Sequence, residues 1–159
     1  DTIHLDLRNT FDKVPHNRLM WKLKKIGRVS DKLAKWMENY VVGREMRTVV
    51  KGKKSEWKKV TSGVPQVSVL GPIMFLIYVN DMPVGIDSYM NMFADDTKIM
   101  RRVKYVEDCN KLQEDLDKIY EWSKEWETEF NINKSHVMKM GRSRYRPNRD
   151  YRLGDEKIE

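Results

Sequence analysis

Residues 90–100 read MNMFADDTKIM, and this stretch decides the fold that we expect for the chain. Two short apolar runs, 90–94 and 97–100, flank Asp95 and Asp96, a pattern typical of two β-strands joined by an acidic two-residue turn. Adjacent carboxylates repel each other and gain nothing structural at such a tip. The turn is therefore either an ordinary solvated turn or the place of a divalent cation.

A second carboxylate-bearing segment favours the cation. Residues 3–7 alternate apolar and polar side chains, which predicts a short strand with Asp6 on the face opposite its neighbours. If this strand pairs beside the acidic turn, three carboxylates can serve a hard metal ion such as Mg²⁺. Two such ions can clamp a phosphoryl transfer. We therefore expect Asp6 to lie next to the Asp95-Asp96 turn, although about ninety residues separate them in sequence.

Helical patterns follow the first strand. Apolar spacing predicts one helix from Asn17, with Gly27 at its C-cap, and a second helix capped by Ser30 and ended by Gly43. The apolar stripe expected on the second helix is Leu33, Trp36, Met37 and Tyr40. The apolar run 69–79 predicts a buried helix. Residues 106–130 predict a long amphipathic helix, whose apolar stripe is Cys109, Leu112, Leu116, Ile119, Ser123 and Trp126.

The remaining strand signals are weaker. Runs 46–50 and 56–60 predict a hairpin whose cationic loop is 51–55, and 137–140 predicts one further strand. The five Trp residues fall on apolar stripes, which favours core positions over stacking platforms.

Composition narrows the possible partners. The 159 residues suit one domain and carry a formal charge of +7. This charge favours a polyanionic partner such as nucleic acid or anionic lipid, with a soluble basic domain as the equal alternative. Cys109 is the only cysteine, so an intramolecular disulfide is excluded and a reducing, intracellular setting is expected. The sequence predicts neither a membrane span nor a signal peptide, and it does not distinguish nucleus from cytoplasm.

Several blocks of residues resemble, in identity and order, the reverse transcriptases of non-LTR, LINE-type retrotransposons, in particular those of the jockey-like clade. The blocks are LDL at 5–7 with FDKVPH at 11–16, GVPQ at 63–66 with SVLGP at 68–72, FADD at 93–96, FLIYVND at 75–81 and FNINK at 130–134. The resemblance spans nearly the whole chain, and the ordered combination of blocks is highly specific.

The resemblance implies an α+β fold, a polymerase palm in which a small antiparallel sheet with the acidic-turn hairpin packs on helices. This palm would carry the active site of RNA-templated DNA synthesis. Asp6 and Asp95 would be the main ligands of two Mg²⁺ ions, with Mn²⁺ as an alternative metal. The carbonyl of Leu7 would be a further ligand, and Asp96 would have a weaker or indirect role in metal binding. The implied partners are an RNA template, a DNA primer and deoxynucleoside triphosphates.

The resemblance also implies three substrate-binding residues. Phe11 would lie beneath the incoming sugar and exclude a 2′-hydroxyl, although without the resemblance a core aromatic residue is the simpler interpretation. Gln66 would pack at the nascent base pair and the nucleotide sugar. Lys134 would be a general acid for pyrophosphate, with a solvated strand lysine as the equal alternative. The basic hairpin and the arginine-rich tail would either contact nucleic-acid phosphates or be solvated.

Some positions depart from the family pattern. Val67 stands where the family has glycine, Thr10 where it has alanine and Ser135 where it has cysteine. The chain begins at the first acidic block, so we expect a palm fragment over 1–159, with a core over 1–140 and a basic tail that begins a further strand over 141–159. Fingers, thumb and endonuclease parts would be missing. A fragment of this kind is either an impaired polymerase or an inert remnant that binds nucleic acid through its basic surface.

Overall fold

The computed structural model describes residues 1–25, 29–141 and 147–159. Its contacts divide the chain into two compact units, residues 1–8 with 80–159, and residues 9–79. The helices of the described residues are α1 (His16–Lys25), α2 (Asp31–Val41), α3 (Leu70–Val79) and α4 (Val106–Glu125). The strands are β1 (Thr2–Asp6), β2 (Glu45–Met46), β3 (Val49–Val50), β4 (Lys53–Lys54), β5 (Lys58–Lys59), β6 (Tyr89–Phe93), β7 (Asp96–Met100), β8 (His136–Met138), β9 (Arg152–Leu153) and β10 (Glu156–Lys157).

The first unit contains a four-stranded antiparallel sheet in the order β6-β7-β1-β8. Side chains alternate between its two faces, so Ile3, Leu5, Thr97 and Ile99 are buried on one face. The residues that alternate with them on β1 and β7, including Asp6 and Asp96, lie on the opposite face. The alternation over 3–7 thus correctly predicted β1 and the position of Asp6 on the face opposite its buried neighbours.

The position of the acidic turn needs a correction. Phe93 pairs with Asp96, so the two-residue turn is Ala94-Asp95, and Asp96 is the first residue of β7. The expected Asp95-Asp96 turn is therefore one residue out of place. The physical reason is that pairing starts directly at the second carboxylate, and Ala94 takes the positive φ of 54° that a tight hairpin turn of this type requires.

Helix α4 has the predicted stripe, because Cys109, Leu112, Leu116, Ile119 and Ser123 are all buried. It ends at Glu125 rather than Phe130, since Glu127 adopts a positive φ of 52° and turns the chain away. Beyond it, the expected strand at 137–140 is β8, and the chain from Tyr151 forms the β9–β10 hairpin. Part of the arginine-rich tail, Arg142, Arg144 and Arg146, lies outside the described residues.

The second unit contains α1, α2, α3 and the hairpin that β2 to β5 form. Ser30 caps α2 as expected, because its Oγ accepts a hydrogen bond from the Leu33 amide at 3.3 Å. The expected stripe of α2 is wrong in part, since Ala34, Met37 and Val41 are the buried residues. Leu33 and Trp36 are exposed instead. The expected C-cap of α1, Gly27, lies outside the described residues.

The apolar run 69–79 forms helix α3, as predicted. Gly71, Met74, Phe75, Tyr78 and Val79 are buried, whereas Ile73 and Leu76 are exposed, so only one side of this apolar helix is covered. None of the described helices combines the length and the hydropathy that a membrane span needs.

Candidate active site

The register of the sheet brings Asp6 to the acidic turn. In the β1–β7 pair Asp6 lies directly opposite Asp96, and Asp96 in turn lies opposite Phe93 across the β6–β7 hairpin. Directly opposed residues of an antiparallel pair share one face, with Cβ atoms about 5 Å apart. Asp6 and Asp96 are therefore neighbours, and Asp95 precedes Asp96 by one position, in the turn.

Two opposed carboxylates destabilise a strand pair unless positive charge is near them. Lys134 provides part of that charge, because its Nζ lies 3.7 Å from Asp6 Oδ2. The Lys134 side chain is 67% exposed, so solvent screens this ion pair. The described structure thus places an acidic pair and a lysine at one solvent-accessible end of the central strands β1 and β7.

The segment 129–135 holds the end of β1 in place. The Asn131 amide donates a hydrogen bond to the Asp6 carbonyl at 2.8 Å, and the Ser135 Oγ lies 3.5 Å from the Asp6 amide. Leu7 forms an isolated antiparallel bridge with Phe130. The backbone that carries Asp6 and Leu7 is therefore fixed by the same segment that carries Lys134.

Histidines extend the polar face along β1. His4 pairs with Lys98 on one side and with His136 on the other, and the two imidazole rings stack with centroids 4.6 Å apart. Burial lowers the pKa of His4, electrostatic repulsion from His136 and Lys98 lowers it further, and the Asp96 carboxylate opposes this shift. The strip of face from His4 to Asp6 thus changes from basic to acidic toward the turn.

No group of three or more His, Cys, Asp or Glu residues within 1–25, 29–141 and 147–159 is arranged so that it could hold a metal ion. The donor chemistry nevertheless fits Mg²⁺, which is usually bound by one or two carboxylates together with substrate phosphates and water. The opposed Asp6 and Asp96, with Asp95 beside them, supply such a partial ligand set. Mg²⁺ does not require a complete set of protein ligands.

The other expected substrate residues, Phe11 and Gln66, belong to the second unit. The Phe11 ring packs against Phe75, with centroids 5.2 Å apart, and Gln66 Nε2 donates a hydrogen bond to Asp12 Oδ1 at 2.7 Å. The Val64 amide donates to the Phe11 carbonyl at 2.7 Å. The segment after Phe11 and the loop that carries Gln66 are therefore joined side by side.

Gly63 permits this close approach. A Cβ at this position would lie 2.7 Å from the Asp12 carbonyl oxygen and 2.8 Å from that of Phe11, and φ is +87°. Both the space and the backbone conformation therefore require glycine. The structure thus explains why the first residue of the GVPQ block at 63–66 is glycine.

Val67 is the unusual residue of the same loop. Its φ is +54°, a left-handed conformation that is a genuine outlier for a β-branched residue, and its side chain is fully exposed. No buried apolar contact compensates for this conformation.

Sequence reasoning overlooked two residues near these sites. Asp12 belongs to the FDKVPH block at 11–16, and the resemblance implies no role for it. It nevertheless orients Gln66 through a hydrogen bond. Asp115 is not among the residues expected in the apolar stripe of α4, but it is 1% exposed. Its position three residues after Leu112 and four before Ile119, inside the apolar stripe, is the signal that could have revealed its burial.

Asp115 anchors the open end of the acidic hairpin. Its carboxylate accepts hydrogen bonds from the amides of Asp87 and Ser88, just before β6, and lies 3.8 Å from Arg101, just after β7. Burial acts to raise the pKa of Asp115, but hydrogen bonds from Ser88, Asp87 and Lys118 outweigh it and lower that pKa. The acidic hairpin is thereby tied to helix α4.

Comparison with known proteins agrees with these observations. Residues 2–151 match the family model described as "Reverse transcriptase (RNA-dependent DNA polymerase)". The chain belongs to the reverse transcriptase family. The resemblance seen in the sequence blocks is therefore confirmed, and the mixed helix and antiparallel sheet structure is that of a reverse transcriptase domain.

Curated relatives of this reverse transcriptase domain come from mobile elements. The chain is 31% identical over 139 residues to the "RNA-directed DNA polymerase from mobile element jockey" of Drosophila melanogaster, and 32% identical over 139 residues to that of Drosophila funebris. It is 30% identical over 142 residues to the "Probable RNA-directed DNA polymerase from transposon X-element" of Drosophila melanogaster. These matches cover 82%, 82% and 86% of the chain but only 15% of each relative.

Proposed function

We propose that this chain is the part of a retrotransposon reverse transcriptase palm that carries the catalytic carboxylates for RNA-templated DNA synthesis. The observation that supports it best is the Asp6–Asp96 register, which brings a carboxylate about ninety residues away to the FADD turn. The family assignment supplies the reaction type, nucleotidyl transfer to a primer hydroxyl. The RNA template, DNA primer and deoxynucleotides are the proposed substrates.

Asp6 and Asp95 are the proposed ligands of two divalent ions, Mg²⁺ or Mn²⁺, with the Leu7 carbonyl as a further ligand and Asp96 in a lesser role. Bound there, such ions lower the pKa of the primer hydroxyl and neutralise the charge of the triphosphate and of the leaving pyrophosphate. The chain itself contributes the fixed positions of these carboxylates. Segment 129–135 holds Asp6, and the strands β6 and β7 hold Asp95 and Asp96.

Lys134 is the proposed proton donor to pyrophosphate. Its ion pair with Asp6 keeps the ammonium group at the edge of the acidic pair, where a developing phosphate charge would be. Phe11 and Gln66 remain the proposed contacts to the sugar and the nascent base pair. The packing of Phe11 against Phe75 and the hydrogen bond from Gln66 to Asp12 favour a preformed rather than a loose arrangement.

Primer extension tests the proposal. The chain, extended at both ends with the flanking segments of a jockey relative, is given an RNA template, a DNA primer, deoxynucleotides and Mg²⁺. We expect D6N and D95N each to lower extension at least about a hundredfold, since a metal ligand contributes several kcal/mol to the transition state. The matched control is D117N, an exposed aspartate on α4.

We expect D117N to stay within about twofold of the parent protein, and D96N to fall between the two groups. Thermal melts establish that all variants fold. Extension by D95N at the rate of D117N would refute the assignment of the acidic turn to catalysis.

A second proposal concerns impairment of this copy, and Val67 supports it. The left-handed φ of 54° costs a β-branched residue about 1 to 2 kcal/mol, whereas glycine adopts it freely. We propose, from the resemblance to the family pattern, that the backbone at this residue approaches the incoming nucleotide. We therefore expect V67G to raise extension, about tenfold at most, and to raise the unfolding temperature slightly.

The control for V67G is V69G, since Val69 is also exposed and lies two residues further along, without a positive φ. It should lose stability, because glycine there gains no relief from strain. Equal kcat and KM for the parent protein and V67G would show that valine is tolerated and that the copy is not impaired at this site.

A further inference from the structure

The hairpin of residues 45–59 is exposed throughout. Every residue from Glu45 to Lys59 is exposed, so neither face of this two-stranded ribbon is covered. Its apolar side chains share this exposure, in particular Met46, Val49, Val50 and Trp57. An isolated two-stranded hairpin is at best marginally stable in water, so a binding partner that covers one face would stabilise it.

The charge of the hairpin identifies the kind of partner. Residues 44–59 contain seven Lys and Arg residues against two Glu residues, a net charge of +5, while the whole chain carries +7. One tenth of the sequence therefore carries most of the excess positive charge. Such a concentration is complementary to a polyanion and adverse to a basic or neutral protein surface.

Trp57 makes one face of the hairpin different from the other. The indole is 56% exposed, and the Arg47 guanidinium lies over its ring at 4.4 Å. The expectation that the five Trp residues belong to the core is wrong for three of them, since Trp21 and Trp36 are exposed as well as Trp57. An accessible aromatic ring beside cations is the combination on which unpaired nucleic-acid bases stack.

Strand register assigns the lysines to the two faces. Glu45 pairs with Lys59, and Arg47 and Trp57 each lie two positions from a member of this pair, so these side chains share one face. Residues 47–48 oppose the three residues 55–57, and this extra residue shifts the register so that Lys54, which pairs with Val49, lies on the same face. Lys53 and Lys58 pair with Val50 and Met46 on the opposite face. The first face thus presents a stacking ring between two lysines.

We propose that this face of the hairpin binds single-stranded nucleic acid, with Trp57 stacking on a base and Lys54 and Lys59 contacting the backbone phosphates. The ligand is single-stranded because base pairs in a duplex are already stacked and do not offer a free face to the ring. The inference goes beyond the proposed polymerase function, since it needs neither the metal ions nor the acidic turn.

Fluorescence anisotropy with a labelled single-stranded RNA of about twelve nucleotides tests the stacking. The intact 159-residue chain is titrated at low salt without divalent cations. We expect W57A to weaken binding about fivefold to a hundredfold, the usual range for the loss of one stacked base. The matched control is W21A, because Trp21 is 49% exposed and has Lys25 over its ring at 4.4 Å, but lies on α1.

W21A should change the affinity less than about twofold. An affinity loss for W57A that does not exceed that for W21A overturns the proposal, and so does the absence of binding at low salt. A double-stranded competitor of the same sequence should displace the labelled strand less well than the unlabelled single strand. Equal displacement also overturns it.

Two double variants, each of which removes two positive charges, test which face of the hairpin binds the RNA. K54Q/K59Q should lower the slope of log K against log salt by about 1.4, since each phosphate contact to a single strand contributes about 0.7. K53Q/K58Q, on the opposite face, should lower it by less than half as much. Equal slopes for the two double variants would overturn the assignment of this face.

D95N separates this proposal from the polymerase proposal. It should bind the RNA as tightly as the parent chain while primer extension is lost. Loss of RNA binding in D95N would show that the nucleic acid contacts the acidic turn and not the hairpin.

Discussion

The two hairpins of this chain contrast in sequence and in surroundings. The acidic hairpin, β6–β7, forms half of a four-stranded sheet and has one buried side. The basic hairpin, residues 45–59, pairs only within itself, and both of its faces are exposed. The comparison shows that charge alone does not indicate how a hairpin is stabilised, since the acidic one is held by its neighbours and the basic one by its turn.

The turns differ accordingly. The basic hairpin has Lys51-Gly52 as its two-residue turn, with φ of 47° and 80°, the two positive values that define a type I′ turn. The expected loop at 51–55 is thus too long, because this turn lets Lys53-Lys54 pair at once. The acidic hairpin places Ala94 at positive φ without glycine, a strain that persists only where the surroundings determine the backbone.

The largest effect on stability is expected from D115N. The Asp115 carboxylate holds the amides of Asp87 and Ser88 and pairs with Arg101 at the open end of the acidic hairpin. Replacement leaves one amide with a poorer acceptor and Arg101 without its charge partner, which costs about 2 to 3 kcal/mol in the free energy of unfolding. Urea denaturation at pH 7 measures this, with D117N as the exposed control on the same helix.

The pH dependence gives an independent check on Asp115. Because its pKa is lowered in the folded state, its stabilising contribution is present above the unfolded pKa of about 3.8 and is lost as pH falls through the folded value. The difference in stability between the parent and D115N should therefore shrink below about pH 4. A difference that stays constant between pH 7 and pH 3 would contradict the proposed clamp.

A smaller effect is expected in the basic hairpin from G52A. A Cβ at Gly52 meets no atom within 4 Å, so the only penalty is the positive φ of 80°, about 1 kcal/mol. Since this hairpin stands alone, the penalty should appear as local opening. We expect about fivefold faster hydrogen exchange of the Ser55 amide, which donates to the Thr48 carbonyl at 2.9 Å.

G85A is the matched control, because Gly85 has the same φ of 80° and equally open surroundings in the first unit. It should leave exchange in the basic hairpin unchanged. If G52A and G85A had the same effect on the Ser55 amide, the hairpin would not be an independently opening element.

The two hairpins also show what the sequence can and cannot predict. Two apolar runs that flank the carboxylates of 90–100 predicted β6 and β7, and the alternation over 3–7 predicted β1. The chemistry of the carboxylates motivated their convergence. The exact turn was missed because no glycine identifies it. The exposure of Trp57 was missed because an amphipathic pattern states which residues share a face, while only the tertiary structure determines whether anything covers that face.

The smallest effect is expected from A94G in the acidic hairpin. Glycine removes the cost of a positive φ, about 1 kcal/mol, but adds a similar entropy to the unfolded chain, so the free energy of unfolding should change by less than about 0.5 kcal/mol. V67G should gain more, because the relieved residue is β-branched. Urea denaturation of the two variants in parallel measures both changes.

A94G is informative because it should change how firmly the neighbouring Asp95 is held. A glycine turn is less restricted, so the carboxylate would be held less firmly, and primer extension by the extended protein should fall a few-fold even though the fold is as stable as before. This separates the positioning of Asp95 from the stability of the sheet. A94G with unchanged extension would show that pairing of Phe93 with Asp96 suffices to hold the acidic turn, and that the strained alanine contributes nothing to the site.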